Sequence, residues 1–572
     1  MNKAQIKTQI QNALKLLKYP AVDFQILGVP KKEMGDYATN IAFLLASKGK
    51  SSTSSDRQMS SDEIATKIAY KLAQQQVFEK IEVVNGYINI FLKSEDLSSQ
   101  IVQVLKKGER YFQNDKGKRE KIMVEYSQPN THKEFHIGHL RNVFIGSTLV
   151  NVLRDSNYDV IAANYIGDTG THIGKCLWGL IKFHKGEALD KIKNKAEFLG
   201  SVYTEATQKI EKNPKYEKEF KQTQKKFDNG DSNLVALWKK TRKWSLDEFE
   251  EIYKELGVKF DVYFYESEEE KEGKKILPEL LKKGIAKKSQ GAIIANLEKY
   301  GLGVLVLMRK DGSVLYGLKD IPLAKKKFEK YNIKKSIYIV DVRQSLYFDQ
   351  LFKILELYGF KEEMVHYGYE FVTLKKQGSM ASRKGNIISA KSLIDDVVSK
   401  ITNQYSNVSY AKRIGIGAIK FQMLNNSATN KIEFDIDESI NLTGDTGPYV
   451  QYANARISSI LNKIGKQSAN HKRIEKPQVK TIILNESAEK ELAKKILELP
   501  ELIEDISKSF QVHKLTTYSI ELARAFHSFY EKCPILKAEK DIQASRILLL
   551  SATQIALKKV LGIMGISAPK KM

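Results

Sequence analysis

Cysteine is nearly absent from the chain: Cys176 and Cys533 are the only two in 572 residues, 533 − 176 = 357 positions apart and in no CxxC pair. Such a spacing argues against a disulfide framework or a cysteine-built zinc site and fits a reducing compartment. Runs of about 18 apolar residues are also missing, so no membrane-crossing helix is expected. The N-terminus lacks the short apolar core of a secretion signal, and no repeat of fixed period is visible. A cytoplasmic protein without membrane attachment is the expectation.

What is present is ordinary globular material, with 42% hydrophobic and 28% charged residues. At roughly 100–200 residues per domain, the length allows three or four units. Lys and Arg number 93 against 68 Asp and Glu, a net charge of +25. A field of that sign attracts polyanions. A lysine-biased surface would give the same count, so charge suggests nucleic acid without deciding the matter.

Residues 3–18 place Ile6, Ile10, Ala13, Leu14 and Leu17 on one helical face. Residues 50–61 form a Ser-rich loop, and Ser60 with Glu63 makes a capping-box pattern for the helix that follows. The strand-like run 87–92 closes a small α/β domain, 1–115. A strand at Ile122–Tyr126, a turn at Pro129-Asn130, a helix from about His136 to Arg154 and a strand at Val160–Tyr165 then make a βαβ unit. Ligands of such sheets sit at the carboxyl ends of the strands. The Lys- and Glu-rich stretch 185–275, with Trp238 and Trp244, reads as a helical subdomain inserted into a catalytic domain of 116–400. Apolar runs at 292–296, 303–307 and 336–341 read as the same sheet resuming. Beyond about 400 the spacing of Ile457, Ile460, Leu461 and Ile464 predicts an all-α domain, 401–572.

His136-Ile137-Gly138-His139 falls at the start of the crossover helix, where unpaired N–H groups and the helix dipole favour an anion such as a phosphate. His132 brings a third imidazole within eight residues, which raises a metal reading. However, the order H-K-E-F-H is not HExxH, and Lys133 would repel a cation, so no metal site is expected.

The stretch Val124-Glu125-Tyr126-Ser127-Gln128-Pro129-Asn130, with Lys133 and His136-Ile137-Gly138-His139-Leu140-Arg141, resembles the first ATP-binding motif of class I aminoacyl-tRNA synthetases in its arginyl form. Gly167-Asp168-Thr169-Gly170-Thr171-His172-Ile173-Gly174 is similar to that family's GDWGTQFG, with Thr169 in place of Trp. Arg309 to Asp320 resembles the family's substrate-recognition segment. A guanidinium wants a carboxylate and an aromatic neighbour, and Tyr316 and Asp320 stand i,i+4 on one helical face. Ser379-Met380-Ala381-Ser382-Arg383-Lys384-Gly385-Asn386 occupies the place of the KMSKS loop, but both lysines of that pattern are replaced, by Ser379 and Ser382. Lys133 is the candidate replacement, with further charge from Arg383 and Lys384. Gly444 to Arg456 resembles the entry to the family's anticodon-binding domain, and Gly35-Asp36-Tyr37-Ala38-Thr39-Asn40 resembles part of its N-terminal domain.

The resemblance implies a multidomain α/β protein. Its parts are a Rossmann-type catalytic domain with helical insertions, a small α/β N-terminal domain that contacts the tRNA elbow, and an all-α anticodon-binding domain. It implies ATP-dependent activation of L-arginine to arginyl-adenylate, with Mg²⁺, and transfer to the 3′ end of tRNA(Arg) by a monomer whose activation step needs bound tRNA. The implied catalytic set is His136, His139, Lys133, Lys384 and Arg383, with Ile137, Gly138, Met380 and Ser382 binding ATP. Glu125, Asn130, Tyr316, Asp320 and Gln344 would hold arginine, and Tyr449, Gln451, Tyr452 and Arg456 would meet tRNA. Two rivals stand beside this reading. One is a ligase of the same class for cysteine, which the cysteine count opposes. The other is a synthetase-like RNA-binding scaffold, suggested by the replaced lysines.

Overall fold

In helix α1 (Lys3–Leu16) the i, i+4, i+7 spacing puts Ile6, Ile10 and Ala13 on one face, and all three are fully buried. These observations come from a computed structural model that describes residues 1, 3–29, 34–48, 59–375, 388–405, 408–469 and 481–572. Strands β1 (Ile26–Gly28) and β2 (Tyr37–Thr39), helices α2 (Ile41–Lys48) and α3 (Ser61–Ala73), strands β3 (Lys80–Val84) and β4 (Tyr87–Phe91) and helix α4 (Ser94–Lys107) follow. The strands form an antiparallel sheet in the order β1-β2-β4-β3. Helix α3 opens with the expected capping box, Ser60 accepting from the Glu63 amide and Glu63 from the Ser60 amide.

The chain forms two compact units. One comprises Met1–Tyr111, Ser459–Glu498 and Arg524–Ala556; the other comprises Phe112–Ser458, Leu499–Ala523 and Leu557–Met572. The second unit is built on a five-stranded parallel sheet. Strand β5 (Lys121–Glu125) leads through helix α5 (Ile137–Asp155) to β6 (Asp159–Ile166), as the βαβ pattern predicts. Helices α6 (Thr171–Phe183), α7 (Lys195–Lys212), α8 (Pro214–Asp228) and α9 (Ser232–Leu256) then precede β7 (Val262–Tyr265). β7 pairs in parallel with β6, so the helical insertion ends before it, whereas the sequence pattern gives the whole of 185–275 to that insertion.

After helix α10 (Glu266–Lys282), the runs at 292–296 and 303–307 do become strands, β9 (Ala292–Asn296) and β10 (Val304–Met308). They join β8 (Lys287–Ser289) in a separate antiparallel sheet and do not resume the parallel one. Of the three runs, 336–341 alone does that, as β11 (Lys335–Asp341), after helix α11 (Tyr316–Tyr331); helix α12 (Ser345–Tyr358) and strand β12 (Glu363–Tyr369), which also joins the parallel sheet, follow. The final strand order is β12-β11-β5-β6-β7. Met123, Ile161 and Phe264 from three of these strands pack against Leu323 and Phe328 of α11. Across α5, Gly146 approaches Tyr126 so closely that a methyl group there would lie 2.2 Å from the ring, which is why the position needs glycine.

Strand β13 (Val372–Leu374), helices α13 (Ala390–Tyr405) and α14 (Val408–Leu424), strand β14 (Ile432–Phe434) and helix α15 (Ile436–Ser439) come next. The β13–β14 pairing puts a strand inside the region beyond 400 that the periodicity gives wholly to helix. Helices α16 (Gly447–Ala469), α17 (Ser487–Leu497), α18 (Leu499–Ser509), α19 (Lys514–Lys532) and α20 (Lys540–Ile563) end the chain. Both cysteines are buried and unbridged. Among the described residues no helix is long and apolar enough to cross a membrane.

Candidate active site

Strand β5 bonds to β6 on one side and to β11 on the other, so the connections leave it in opposite directions and open a crevice at the carboxyl ends. A cavity of about 280 Å³ lies there. It brings together all five residues expected to surround arginine. Glu125 ends β5, Asn130 follows in the next loop, Tyr316 and Asp320 occupy the first turn of α11, and Gln344 stands just after β11. Asn130 is fixed by a bridge to Gly167, where a side chain on the glycine would strike the Asn130 amide oxygen at 2.3 Å.

The same cavity is lined by Glu266, Tyr347, Tyr165 and Lys327, which sequence reasoning missed. Glu266 is the first residue after β7. Within the run Glu266-Ser267-Glu268-Glu269-Glu270 nothing singles it out; a strand at Val262–Tyr265 was the available signal, because the residue after such a strand faces the ligand crevice.

The charges in the cavity do not cancel. Glu125 and Lys327, both almost fully buried, form an ion pair at 2.5 Å. Asp320 accepts from the Tyr347 hydroxyl through one oxygen, while the other is buried without a hydrogen-bond partner. Burial pushes the Asp320 carboxyl up to about 6 against the opposing pull of that hydroxyl. Burial likewise pushes Glu266 up to about 7, opposed chiefly by Lys319. Two carboxylates held out of water, one with an unmet acceptor, are completed by a cation that donates several hydrogen bonds, and a guanidinium is planar, permanently charged and forked.

At the start of α5, His136 is the capping residue. Its Nδ1 accepts from the Gly138 amide, and His139 Nδ1 accepts from the His136 amide, each at 3.1 Å. A ring that accepts at Nδ1 carries its proton on Nε2, so both imidazoles are neutral Nε2–H donors. Burial, and then Lys133, push His136 down to about 4, and His139 is held well below the ordinary histidine range by burial and its two cationic or imidazole neighbours. The rings lie 3.8 Å apart between centroids. Lys133 is the nearby cation, its ammonium 5.3 Å from the centre of the Tyr203 ring. The anion-favouring N-terminus of α5 and one lysine thus share a corner.

The segment Ile388–Ala390 is bonded to this motif, the Ile137 amide donating to Ile388 and the Ala390 amide to Phe135. The candidates Met380, Ser382, Arg383 and Lys384 lie outside the described residues. His132 takes no part in the donor pair: its ring is buried against the Thr131 and Thr241 hydroxyls, and burial lowers it to about 3. Among the described residues no three His, Cys, Asp or Glu side chains form a metal cluster.

The loop between β5 and α5 is held in an unusual backbone conformation. Ser127, Gln128 and His132 have φ of 78°, 47° and 61°, the left-handed region that costs a side-chain-bearing residue of order 1 kcal/mol or more. Fixed partners hold it there: the Ser127 amide donates to Asn142, the Gln128 amide to Asn164 and the His132 amide to Ser245. Asp168 is a second anchor, fully buried and bound by Arg242 and by the amide and hydroxyl of Ser267.

Of the residues expected to meet tRNA, Gln451 is fully buried, and its amide donates to the Ser567 carbonyl. It fastens the C-terminal segment and offers no surface to a nucleic acid. Tyr452 is exposed, and Tyr449 and Arg456 are partly exposed.

Comparisons with known proteins find matches along nearly the whole chain. The model of the catalytic domain of tRNA synthetases class I (R) matches residues 100–436, the DALR anticodon binding domain matches 450–572, and the arginyl tRNA synthetase N terminal domain matches 4–92. The chain is 32% identical to the arginine–tRNA ligase of Bdellovibrio bacteriovorus over 567 residues, covering 96% of this chain and 94% of that one. It is 34% identical to the arginine–tRNA ligase of Halothermothrix orenii over 556 residues, covering 95% and 94%. The arginyl-tRNA synthetase structure from Thermus thermophilus shares the fold over 100% of both chains, with a TM-score of 0.81 at 23% identity. With a catalytic-domain match over more than half its length and end-to-end relatives above 30% identity, the chain belongs to the arginyl-tRNA synthetases, the R group of class I.

Proposed function

We propose that the protein is an arginine–tRNA ligase whose cavity at the end of β5 holds L-arginine. The observation that carries the assignment is Asp320, a carboxylate with one buried unpartnered oxygen beside a second carboxylate, Glu266, in a cavity whose one lining lysine among the described residues, Lys327, is already paired with Glu125. Asp320, Glu266 and Tyr316 receive the guanidinium, Glu125 and Asn130 face the amino-acid end, and Gln344 closes the mouth. In the first step an oxygen of the arginine carboxylate attacks the α-phosphorus of ATP, the α–β bridging bond breaks, and pyrophosphate leaves. In the second, a terminal ribose hydroxyl of tRNA attacks the arginyl carbonyl and AMP leaves.

The protein contributes positioning and charge. His136 and His139 donate Nε2–H to phosphate oxygens and Lys133 supplies positive charge, with Ile137 and Gly138 at the helix start; Met380, Ser382, Arg383 and Lys384 complete the phosphate contacts. Mg²⁺ is part of the nucleotide substrate. Residues 1–115 meet the tRNA elbow, 116–400 carry catalysis, and 401–572 receive the anticodon, with Tyr449, Tyr452 and Arg456 as tRNA contacts. The enzyme works as a cytoplasmic monomer.

Aminoacylation of tRNA(Arg) measured with all twenty amino acids tests the assignment; arginine alone should be charged, and efficient charging of another amino acid would refute it. Arginine-dependent pyrophosphate exchange should require tRNA, and strong exchange in its absence would remove that dependence.

A further inference from the structure

Thr169 stands where the resembling motif carries Trp, and its surroundings give the hydroxyl a task. The Lys319 ammonium donates to Thr169 Oγ at 3.1 Å, and Thr169 Oγ lies 3.2 Å from Glu266 Oε2. An ammonium can only donate and a carboxylate can only accept, so the direction of the chain is fixed: Lys319 to Thr169 to Glu266. The Thr169 proton must point at the carboxylate. Lys319 is itself buried, one residue before Asp320 in α11, and is steadied by Glu270 at 3.4 Å. Helices α10 and α11, which carry Glu266 and Lys319, meet so closely that a side chain on Gly273 would lie 2.5 Å from the Leu318 carbonyl. The donor and the final acceptor therefore sit on two helices in direct backbone contact. An indole has one donor and no acceptor, so Trp at 169 could not make this link.

We infer that Thr169 and Lys319 are positioning residues that hold the Glu266 carboxylate in the orientation in which it receives the guanidinium, an inference that rests on the assignment of the cavity to arginine. One Glu266 oxygen is committed to Thr169, and the other is left for the ligand. The charged and titratable groups facing Glu266 are Lys319, Asp320 and Tyr316 from α11, Asp168 from the loop after β6, Tyr165 from β6 and Tyr347 from α12. Lys319 and the Thr169 hydroxyl favour the ionised form, against burial and the neighbouring acids. Loss of the hydroxyl therefore leaves a carboxylate that is both less well aimed and more readily protonated.

The test is arginine-dependent ATP–pyrophosphate exchange by the full-length enzyme with tRNA present, between about pH 5.5 and 8.5. Thr169→Val keeps the shape and removes the hydroxyl. It should raise KM for arginine about tenfold, as loss of one charge-assisted hydrogen bond predicts, with kcat changed by less than about threefold. The acid limb of kcat/KM should move up by about half a pH unit or more. Lys319→Met should act in the same direction, and Thr169→Ser should restore the acid limb. A Thr169→Val enzyme with the wild-type arginine KM and acid limb overturns the inference, as does a Ser variant no better than Val. Asp320→Asn, run alongside, separates the two levels. If it too leaves the arginine KM unchanged, the cavity assignment fails; if it abolishes arginine use while Thr169→Val does nothing, only the positioning role fails.

Discussion

Replacing Asp320 by Asn should cripple arginine use and stabilise the empty enzyme at the same time. The first effect follows from two charge-assisted hydrogen bonds between a guanidinium and a carboxylate, each worth about 1.5–3 kcal/mol. Asn keeps the shape and one acceptor but no charge. A loss of about 4 kcal/mol, or roughly a thousandfold in kcat/KM for arginine, is the expectation. KM for ATP should stay within about twofold, because the proposed phosphate site is at the start of α5, apart from Asp320. The second effect has the opposite sign. Asp320 titrates near 6 in the folded protein, pushed up first by burial, against about 3.9 in the unfolded chain. A raised carboxyl binds its proton more tightly when folded, so folding stability is lost as pH rises from the unfolded value through the folded one. At neutral pH the full cost is therefore present. Taken from that shift it is about 2–3 kcal/mol, or a rise of roughly 3 °C in the melting temperature of the variant for a unit of this size. Pyrophosphate exchange and differential scanning calorimetry at pH 7.5 measure the two effects. A variant that loses less than tenfold in kcat/KM, or that melts below the wild type, would refute the view of Asp320 as a strained, waiting acceptor.

Lowering the pH should raise the arginine KM progressively as the Asp320 and Glu266 carboxyls, at about 6 and about 7, take up protons; a flat arginine KM from pH 8 to about 5.5 contradicts their role. Lys133→Ala should depress adenylate formation by about a hundredfold while arginine binding, followed by calorimetric titration, changes little; equal activity would move the phosphate charge to Arg383 or Lys384. Gln451→Ala should lower thermal stability by about 1–3 kcal/mol through the lost bond to Ser567 with no change in tRNA KM, whereas Arg456→Ala should raise the tRNA KM and flatten its salt dependence. His136, at about 4 when folded and about 6.5 when unfolded, confers stability that is intact above about 6.5 and lost as pH falls toward about 4. His136→Asn should therefore show a shallower loss of stability across that window in urea titrations.

The parts of this fold that were legible in sequence are those with a local signature. The β5–α5–β6 unit shows as a strand, a turn and a helix-period run, and Ser60 with Glu63 marks a helix start with two side chains alone. Pairing partners leave no such mark. The runs Ala292–Asn296 and Val304–Met308 are apolar strands in either of two sheets, and only their antiparallel register with each other separates them from the parallel sheet. Strand β7 is four residues long, amid a charged stretch, and below the length at which a period shows. The site divides in the same way. Five residues around the cavity could be named because they stand in motifs. Glu266 and Tyr347 could not, since they reach it only through the order of strands and the close contact of α10 with α11.

The stretch read as an interruption of the α/β pattern turns out to bear the site's rigidity. Along one face of α9, Trp238 donates to the Asp168 carbonyl, Arg242 pairs with the Asp168 carboxylate, Thr241 and Ser245 hold His132, and the Tyr253 hydroxyl meets Ser127 and Asn164. These partners lie beside both parts of the candidate site: Asp168 next to Thr169 at the edge of the cavity, His132 and Ser127 in the loop that feeds the His136 corner. The charged face of α9 points outward, while Leu234, Trp244, Phe249, Ile252 and Leu256 along its other face are buried. Here the polar residues on its inner face are bonded to loops that could not hold their left-handed turns alone, and the strain of Ser127, Gln128 and His132 is offset by partners on α9 or beside it. The loop beside the cavity and the loop before His136 thus share partners on one helix, with Asn142 of α5 and Asn164 of β6 completing the set. The carboxylate oxygen of one substrate must meet the phosphorus of the other within a fraction of an ångström, and a single rigid element that holds both loops meets that requirement more directly than two loops held separately.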